Sequence, residues 1–279
     1  MKFFPCAKIN LGLNVVSRRP DGYHNLETVF YPVDIHDILD VQLSDIAGCH
    51  LEVVGVKELC APEDNLVFKA YRLLSEQYDL PGIDVRLTKN LPSQAGMGGG
   101  SSDGAYMIRA LNEVCSLGMT TEEMQHTAAR LGADCAFFIT AEPSYAEGIG
   151  DELSPVSLDL SRYTLVLIKP SVAVSTREAY AGITPHAPLR NCRDIVTTMP
   201  ITEWRDCLCN DFEDSIFPRL PILKEVKDFM YSSGALYAAM SGSGSTIFGI
   251  FPSTYNANTL SKYAQENKYY YRTIAPSGH

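Results

Sequence analysis

Positive charge is scarce in this chain: 23 Lys and Arg stand against 33 Asp and Glu in 279 residues, a formal net charge of −10. A non-specific nucleic-acid binder needs a basic footprint, and none stands out, so nucleic acid is not an expected partner. Long apolar runs are missing as well. No stretch approaches the roughly 18 residues of a membrane-spanning helix. Met1-Lys2-Phe3-Phe4-Pro5 resembles neither a secretion signal nor an Arg/Ser-rich transit sequence, so neither membrane nor export is expected. Cys-x-x-Cys does not occur among the eight cysteines, which excludes a zinc ribbon or a thioredoxin-like motif. A chain of this length does not need disulfide staples. Cys6, Cys49, Cys60, Cys115, Cys135, Cys192, Cys207 and Cys209 therefore read as reduced, mostly buried thiols of a cytoplasmic protein. His36, His50, His126, His186 and His279 lie at unrelated spacings and suggest no metal cluster. Internal repeats and low-complexity tracts are also lacking.

What is present is ordinary globular material, 46% hydrophobic and 20% charged, which excludes global disorder. Its length fits one large domain or two small ones. From Lys8 to Val16 the pattern alternates, with Ile9, Leu11, Leu13 and Val15 on one face and Lys8, Asn10, Gly12 and Asn14 on the other. Period two predicts a half-buried strand with Lys8 and Asn10 side by side. Asp21-Gly22 is a turn signal leading into the next apolar run. Strands are predicted at Leu39–Leu43 and Leu51–Val54. A helix opens at Glu63-Asp64-Asn65 with Leu66, Ala70, Leu73 and Leu74 on one face. Ile83, Val85 and Leu87 mark a further strand.

Thr120-x-x-Glu123 is a capping box for a helix ending near Gly132, with Asp134 just beyond. Around Gly148–Pro155 the composition turns to Gly, Pro and Ser, and the domain boundary is placed there, between an N-terminal domain of 1–152 and a C-terminal domain of 153–279. Thr164–Ile168 predicts a buried strand, and residues 181–200 a long connection. Pro221 opens a helix with Ile222, Leu223, Val226, Phe229 and Met230 on its apolar face and Gly234 as its stop. Ala235–Met240 and Thr246–Phe251 read as strands around a Gly-Ser loop. A helix and a final strand over Tyr269–Ile274 follow. Strands and helices alternating in both halves imply an α+β chain of two domains.

The strongest chemical signal is Gly96-Met97-Gly98-Gly99-Gly100-Ser101-Ser102, set between a strand and an amphipathic helix. Glycines here permit φ > 0 and close backbone approach to a ligand. Successive N–H groups and the helix N-terminus favour phosphate, and Ser101 or Ser102 can donate to phosphate or bind Mg²⁺. The Gly-Lys-Ser/Thr ending of a Walker A loop is absent, and the glycine offsets do not fit a Rossmann fingerprint. A flexible turn or a tight crossing is the plain structural alternative.

Pro5-Cys6-Ala7-Lys8-Ile9-Asn10-Leu11, the Gly-rich loop with Pro92 before it, and Ser241-Gly242-Ser243-Gly244-Ser245 resemble the three motifs of the GHMP kinases. Within that superfamily Arg19-Pro20-Asp21-Gly22-Tyr23-His24-Asn25-Leu26-Glu27-Thr28 is similar to the substrate segment of the kinases of 4-diphosphocytidyl-2-C-methyl-D-erythritol. So are Gly98–Asp103, Leu131-Gly132-Ala133-Asp134 and Asn210-Asp211-Phe212-Glu213. The chain departs from that pattern at Gln94-Ala95-Gly96-Met97 and at Cys135-Ala136. The resemblance implies a two-domain α+β GHMP kinase fold with the active site in the interdomain cleft. It also implies ATP and Mg²⁺, and phosphorylation of the 2-hydroxyl of a small substrate carrying a cytidine diphosphate group, in the non-mevalonate isoprenoid pathway. A monomer or weak homodimer is the expected assembly.

The resemblance further implies roles for single residues. Phosphoryl transfer to an alcohol needs a group that takes its proton, and Asp134 is the candidate base, although an isolated Asp there would read as a turn residue. Lys8 would orient it and offset developing charge, where most lysines are simply solvated. Asn10 would hydrogen-bond the substrate. Tyr23 and His24 would receive cytosine, by stacking and by hydrogen bonds to its edge, and Tyr180, with Thr176 nearby, would close the sandwich. Asn65 resembles the family's adenine contact, and a helix cap explains it equally well. Pro92, Gly96, Gly98, Gly99, Gly100, Ser101 and Ser102 would hold ATP, and Ser241, Gly242 and Ser243 would close on the substrate. Another GHMP small-molecule kinase, acting on homoserine or mevalonate, would have no need of Tyr23-His24. A binding module without turnover would have no need of both Lys8 and Asp134.

Overall fold

The computed structural model describes residues 1–55 and 61–276, so Cys60 and His279 lie outside the described residues. In chain order the first elements are β1 (Lys2–Phe3), β2 (Cys6–Arg18), β3 (His24–His36), β4 (Ile38–Ser44), β5 (Cys49–Val54), α1 (Leu66–Ser75), β6 (Gly82–Thr88), α2 (Gly99–Val114), α3 (Thr121–Ala129) and α4 (Phe137–Thr140). Then come β7 (Ser144–Glu147), β8 (Glu152–Pro155), β9 (Thr164–Lys169), α5 (Thr176–Ala181), α6 (Cys192–Thr198), α7 (Phe212–Ile216), α8 (Pro221–Ser232), β10 (Tyr237–Met240), β11 (Ile247–Phe251), α9 (Asn258–Glu266) and β12 (Tyr270–Ile274). By spatial contact the chain parts into two units, one of Met1–Lys8, Pro32–Ser93 and Gly98–Glu142, the other of Ile9–Tyr31, Gln94–Met97 and Pro143–His279.

In the first unit the strand order is β1-β4-β6-β5, with β5 parallel to β6 and the other neighbours antiparallel. The alternation of Ile83, Val85 and Leu87 puts all three in the core. Helix α2 packs on β4 and against α1, α3 and α4. Asn65 opens α1 by accepting the Val67 N–H at 2.9 Å. The buried face of α1 is Val67, Ala70, Tyr71 and Leu74, so Leu66 and Leu73 sit at its margin and not within it, as the sequence had suggested. The capping box forms as the spacing predicts, Thr120 and Glu123 each satisfying the other's backbone N–H. Helix α3 ends at Ala129, short of Gly132, and a 3₁₀ turn over Ala133–Cys135 carries Asp134.

In the second unit the order β10-β11-β9-β12 is antiparallel throughout. Val166, Ile168, Leu223, Val226, Met230, Ala238, Ile247 and Leu260 share one core. The Asp21-Gly22 signal is a tight turn: Gly22 has φ +89, and the Arg19 N–H donates to Tyr23 O at 2.8 Å. Of the stretch Gly148–Pro155, residues 148–151 are the turn of the antiparallel β7–β8 hairpin, and Ser154 and Pro155 belong to β8.

Three further expectations need correction. Strand β2 is not half-buried: Lys8, Asn10 and Asn14 are as covered as the apolar face. Polar side chains tolerate this only when partnered, and Asn14 donates to Glu27 Oε1 at 2.8 Å, whose other oxygen accepts from the Tyr145 hydroxyl at 2.7 Å. The connection over 181–200 contains α6, capped by Asn191, which accepts the Asp194 N–H at 2.7 Å. A seven-residue helix is too short to show a period. The seven described cysteines are free, but only Cys6, Cys135 and Cys192 are buried, and Cys209 is exposed.

Candidate active site

The Gly-rich loop turns into α2 at Gly98, the helix N-cap, whose φ of +70 is left-handed. A side chain there would strike more than backbone preference: its Cβ would lie 2.6 Å from Phe138 Cζ and 3.3 Å from Lys8 Cε. The absence of a side chain thus lets Lys8 pass beside the loop. Lys8 is 3% exposed and its Nζ lies 3.2 Å from Asp134 Oδ2, whose side chain remains one-third exposed. A buried ammonium needs such a partner. The couple therefore has one covered end and one open end, at the carboxylate.

The first turn of α2 divides its polar groups. Ser101 is hydrogen-bonded to the Cys135 thiol, which burial pushes up to about 12. Ser102 Oγ is buried and has no hydrogen-bond partner among the described residues. Among the described residues a Cβ at Gly100 would meet nothing within 4 Å, so the turn is open there. Pro92 is half-buried at the start of the loop. Beside the turn, Lys89 binds both Asp37 and Asp103, the latter at 2.5 Å. Asp37 also accepts the Asn90 and Leu91 N–H groups at 2.5 and 2.8 Å. Asp103 receives Lys89 and lies beside Asp37, and its buried Oδ1 has no hydrogen-bond partner among the described residues. Burial pushes Asp103 up to about 8 against the pull of Lys89. This triad escaped the sequence reading, because its three residues come from separate segments and no local period joins them. Among the described residues no group of three or more His, Cys, Asp or Glu side chains could hold a metal ion.

The second unit gathers another set. Asn10 Nδ2 donates to Thr28 Oγ1 at 3.1 Å, and its backbone N–H donates to Ser241 Oγ at 3.3 Å. Ser241 Oγ in turn donates to Gly96 O at 2.9 Å. Gly96, at φ +71, is obligatory here, since its Cβ would lie 1.9 Å from Ser241 O. Gly242 is left-handed too, at φ +53. Thr176 and Ser243 hydroxyls are 3.1 Å apart. His24 stacks on Tyr180 with ring centroids 4.9 Å apart and planes 17° apart, and Tyr180 meets Phe212 edge-on at 4.8 Å. Tyr23 is 63% exposed and projects from the turn. Thr28, unassigned from sequence, is the buried partner that fixes Asn10.

Family models match both parts of the chain: the GHMP kinases N terminal domain over residues 65–142 and the GHMP kinases C terminal domain over residues 199–269. A 4-diphosphocytidyl-2-C-methyl-D-erythritol kinase of Bacteroides fragilis is 51% identical over 250 residues, covering 89% of this chain and 91% of the relative. One of Porphyromonas gingivalis is 43% identical, covering 90% and 92%. A crystal structure of 4-(cytidine 5'-diphospho)-2C-methyl-D-erythritol kinase superposes with a TM-score of 0.81 at 30% identity, covering 99% of this chain and all of that one. A homoserine kinase from Cytophaga hutchinsonii shares the fold, with a TM-score of 0.72 at 17% identity and 98% and 94% coverage. Similarity of that degree, sustained along nearly the whole length, makes this chain a member of the 4-diphosphocytidyl-2-C-methyl-D-erythritol kinase family of GHMP kinases.

Proposed function

We propose that the chain transfers a phosphoryl group from ATP to the 2-hydroxyl of 4-diphosphocytidyl-2-C-methyl-D-erythritol, a step of non-mevalonate isoprenoid synthesis, in the cytoplasm. ATP as phosphate donor follows from membership of the GHMP kinases. The observation that carries the reading is the Lys8–Asp134 pair at 3.2 Å, covered at the lysine and open at the carboxylate, beside the left-handed Gly98.

In phosphoryl transfer the protein supplies positioning and charge more than covalent chemistry. Asp134 would accept the proton of the substrate hydroxyl as its oxygen bonds to phosphorus and the bond to the leaving ADP oxygen breaks. Lys8 would hold the Asp134 carboxylate in place and offset the charge that builds during transfer. The first turn of α2 fits a phosphate chain: a left-handed glycine N-cap, an open face at Gly100 and the unpaired Ser102 hydroxyl support this. Pro92, Gly96, Gly98, Gly99, Gly100 and Ser101 complete the proposed ATP contacts, with Asn65 toward adenine. Mg²⁺, also proposed, would be held by Ser101 or Ser102 and would neutralise phosphate oxygens. Asn10, Thr176, Ser241, Gly242 and Ser243 are the proposed substrate contacts. Tyr23, His24 and Tyr180 would take the cytosine, which would have to part His24 from Tyr180, stacked directly on each other, to lie between them. The proposed domains are 1–152 and 153–279, and the proposed assembly is a monomer or weak homodimer.

The test is ADP release by the purified protein with ATP and Mg²⁺ in the presence of the cytidine substrate, homoserine or mevalonate. Release with the cytidine substrate alone is expected. Release with homoserine or mevalonate and not with the cytidine substrate would transfer the assignment to another GHMP kinase, and no release with any acceptor would leave a binding module.

A further inference from the structure

The segment Cys209–Glu213 has no part in the chemistry above, yet its side chains and backbone grip two of the site's components. Asn210 is 3% exposed. Its Nδ2 donates to Met240 O at 2.7 Å and to Gly242 O at 2.9 Å, while its Oδ1 accepts the Phe212 N–H at 3.0 Å. Both donors and the acceptor of the carboxamide are thus engaged, and turning the amide over would set its oxygen against two carbonyl oxygens. Glu213 Oε1 accepts the Met240 N–H at 2.7 Å, so the residue leading into the Gly-Ser loop is held at both its N–H and its C=O. On the other side the segment pairs with β2: Leu13 N–H donates to Cys209 O at 2.8 Å, Asp211 N–H to Leu13 O at 2.9 Å, and Val15 N–H to Asp211 Oδ2 at 2.7 Å. One short segment therefore sets both the strand that carries Asn10 and the loop that carries Ser241.

The loop needs such an anchor. Ser241 touches Asn10 N and Gly96 O through its hydroxyl, and Thr246 N–H donates to Ala95 O at 3.2 Å. Gly242 is left-handed and its Cβ would lie 3.2 Å from Asn10 Oδ1 and 3.3 Å from Gly96 O. A shift of the Gly242 carbonyl would move Ser241 off both contacts. We infer that Asn210 is a positioning residue of the reaction, holding the Ser241-Gly242-Ser243 loop against Asn10 and Gly96 through the carbonyls of Met240 and Gly242. The inference rests on the proposed role of that loop in the active site.

Hydrogen exchange and kinetics on the full chain test it together. In Asn210→Ala the amides of residues 241–246 should exchange at least about tenfold faster, the worth of one or two lost hydrogen bonds. Peptides from β9 and β12 should exchange as in the parent. Turnover of the cytidine substrate should fall about 10²-fold in kcat, as expected for a misplaced contact, with KM for ATP changed less than about twofold. Asn210→Ser, which keeps one donor, should fall between, and it carries the same comparison if the alanine variant does not fold. Unchanged exchange over 241–246, equal acceleration in β9 and β12, or a parental kcat overturns the inference. If the parent protein does not turn over the cytidine substrate, the proposed reaction fails, and the exchange comparison still decides the anchoring.

Discussion

Asp134 and Asp103 are both carboxylates beside a buried lysine, and their surroundings give them different work. Asp134 keeps a third of its side chain exposed and so can meet a ligand. Replacing it by Asn preserves shape and removes the basic oxygen, so kcat should fall by at least about 10²-fold while cytidine binding stays near the parent value. Steady-state kinetics beside calorimetric titration with a cytidine nucleotide checks this, and unchanged turnover would refute the base assignment. Asp103 shares Lys89 with a better-supplied Asp37, and burial pushes it up to about 8. A carboxyl that holds its proton more tightly folded than unfolded contributes stability at low pH, and that contribution is lost as pH rises toward 8. Melting temperatures of the parent should therefore drop relative to Asp103→Asn between about pH 5 and pH 8 and level off above, as the raised value implies. Two parallel curves would show that Asp103 is ionised throughout. Tyr180, already stacked on His24, should be worth about 1–3 kcal/mol of cytidine affinity on replacement by Ala. An unaltered Kd would move the base site elsewhere.

At the scale of elements, the Gly-rich loop is a set of positions with different constraints. Gly96 and Gly98 are filled sites: backbone oxygen and the Phe138 ring stand where a methyl would go, and both backbones are left-handed. Gly100 is helical and faces open space. Gly100→Ala should leave the melting temperature unchanged or raise it, since Ala is favoured over Gly in a helix by about 0.5–1 kcal/mol. The same methyl would crowd a phosphate laid on the turn, so KM for ATP should rise several-fold. A variant with parental ATP affinity would remove the first turn of α2 from the nucleotide site. The order strand, loop, helix was legible because glycine density and the switch from period two to helical spacing are local signals. Helix α6 was not, because seven residues flanked by proline offer one cap and no period.

For the whole molecule, the deficit of basic residues means that anionic substrates must be met by a few placed groups and not by a general field. Lys8 and Lys89 are both buried beside the Gly-rich turn, each already paired with acid. Binding free energy should therefore be visible as stability. An ATP analogue at a hundred times its Kd should add about 2.7 kcal/mol and raise the melting temperature by several degrees, and a cytidine nucleotide should do so independently. Thermal shift at graded ligand concentrations measures both, and the absence of a shift with the ATP analogue would contradict the proposed nucleotide site.

The amino-acid order alone determined what depends on near neighbours: the alternation of β2, the capping box at Thr120, the turn at Asp21-Gly22 and the glycine-serine loops. Motif resemblance added the family, because Lys8, Asp134 and the Asp-Gly-Tyr-His segment stand in a recognisable pattern. Tertiary structure decided which polar groups are buried and what meets them. Both faces of β2 are covered because Asn14 finds Glu27 and Lys8 finds Asp134. The backbone N–H groups of Asn90 and Leu91 both go to Asp37, while Asp103 is met by the Lys89 ammonium and, among the described residues, its Oδ1 has no hydrogen-bond partner. Asn210 grips the loop thirty residues on through carbonyls that exist in every sequence. The physical reason is that a hydrogen bond depends on distance in space, and local periodicity carries no record of it.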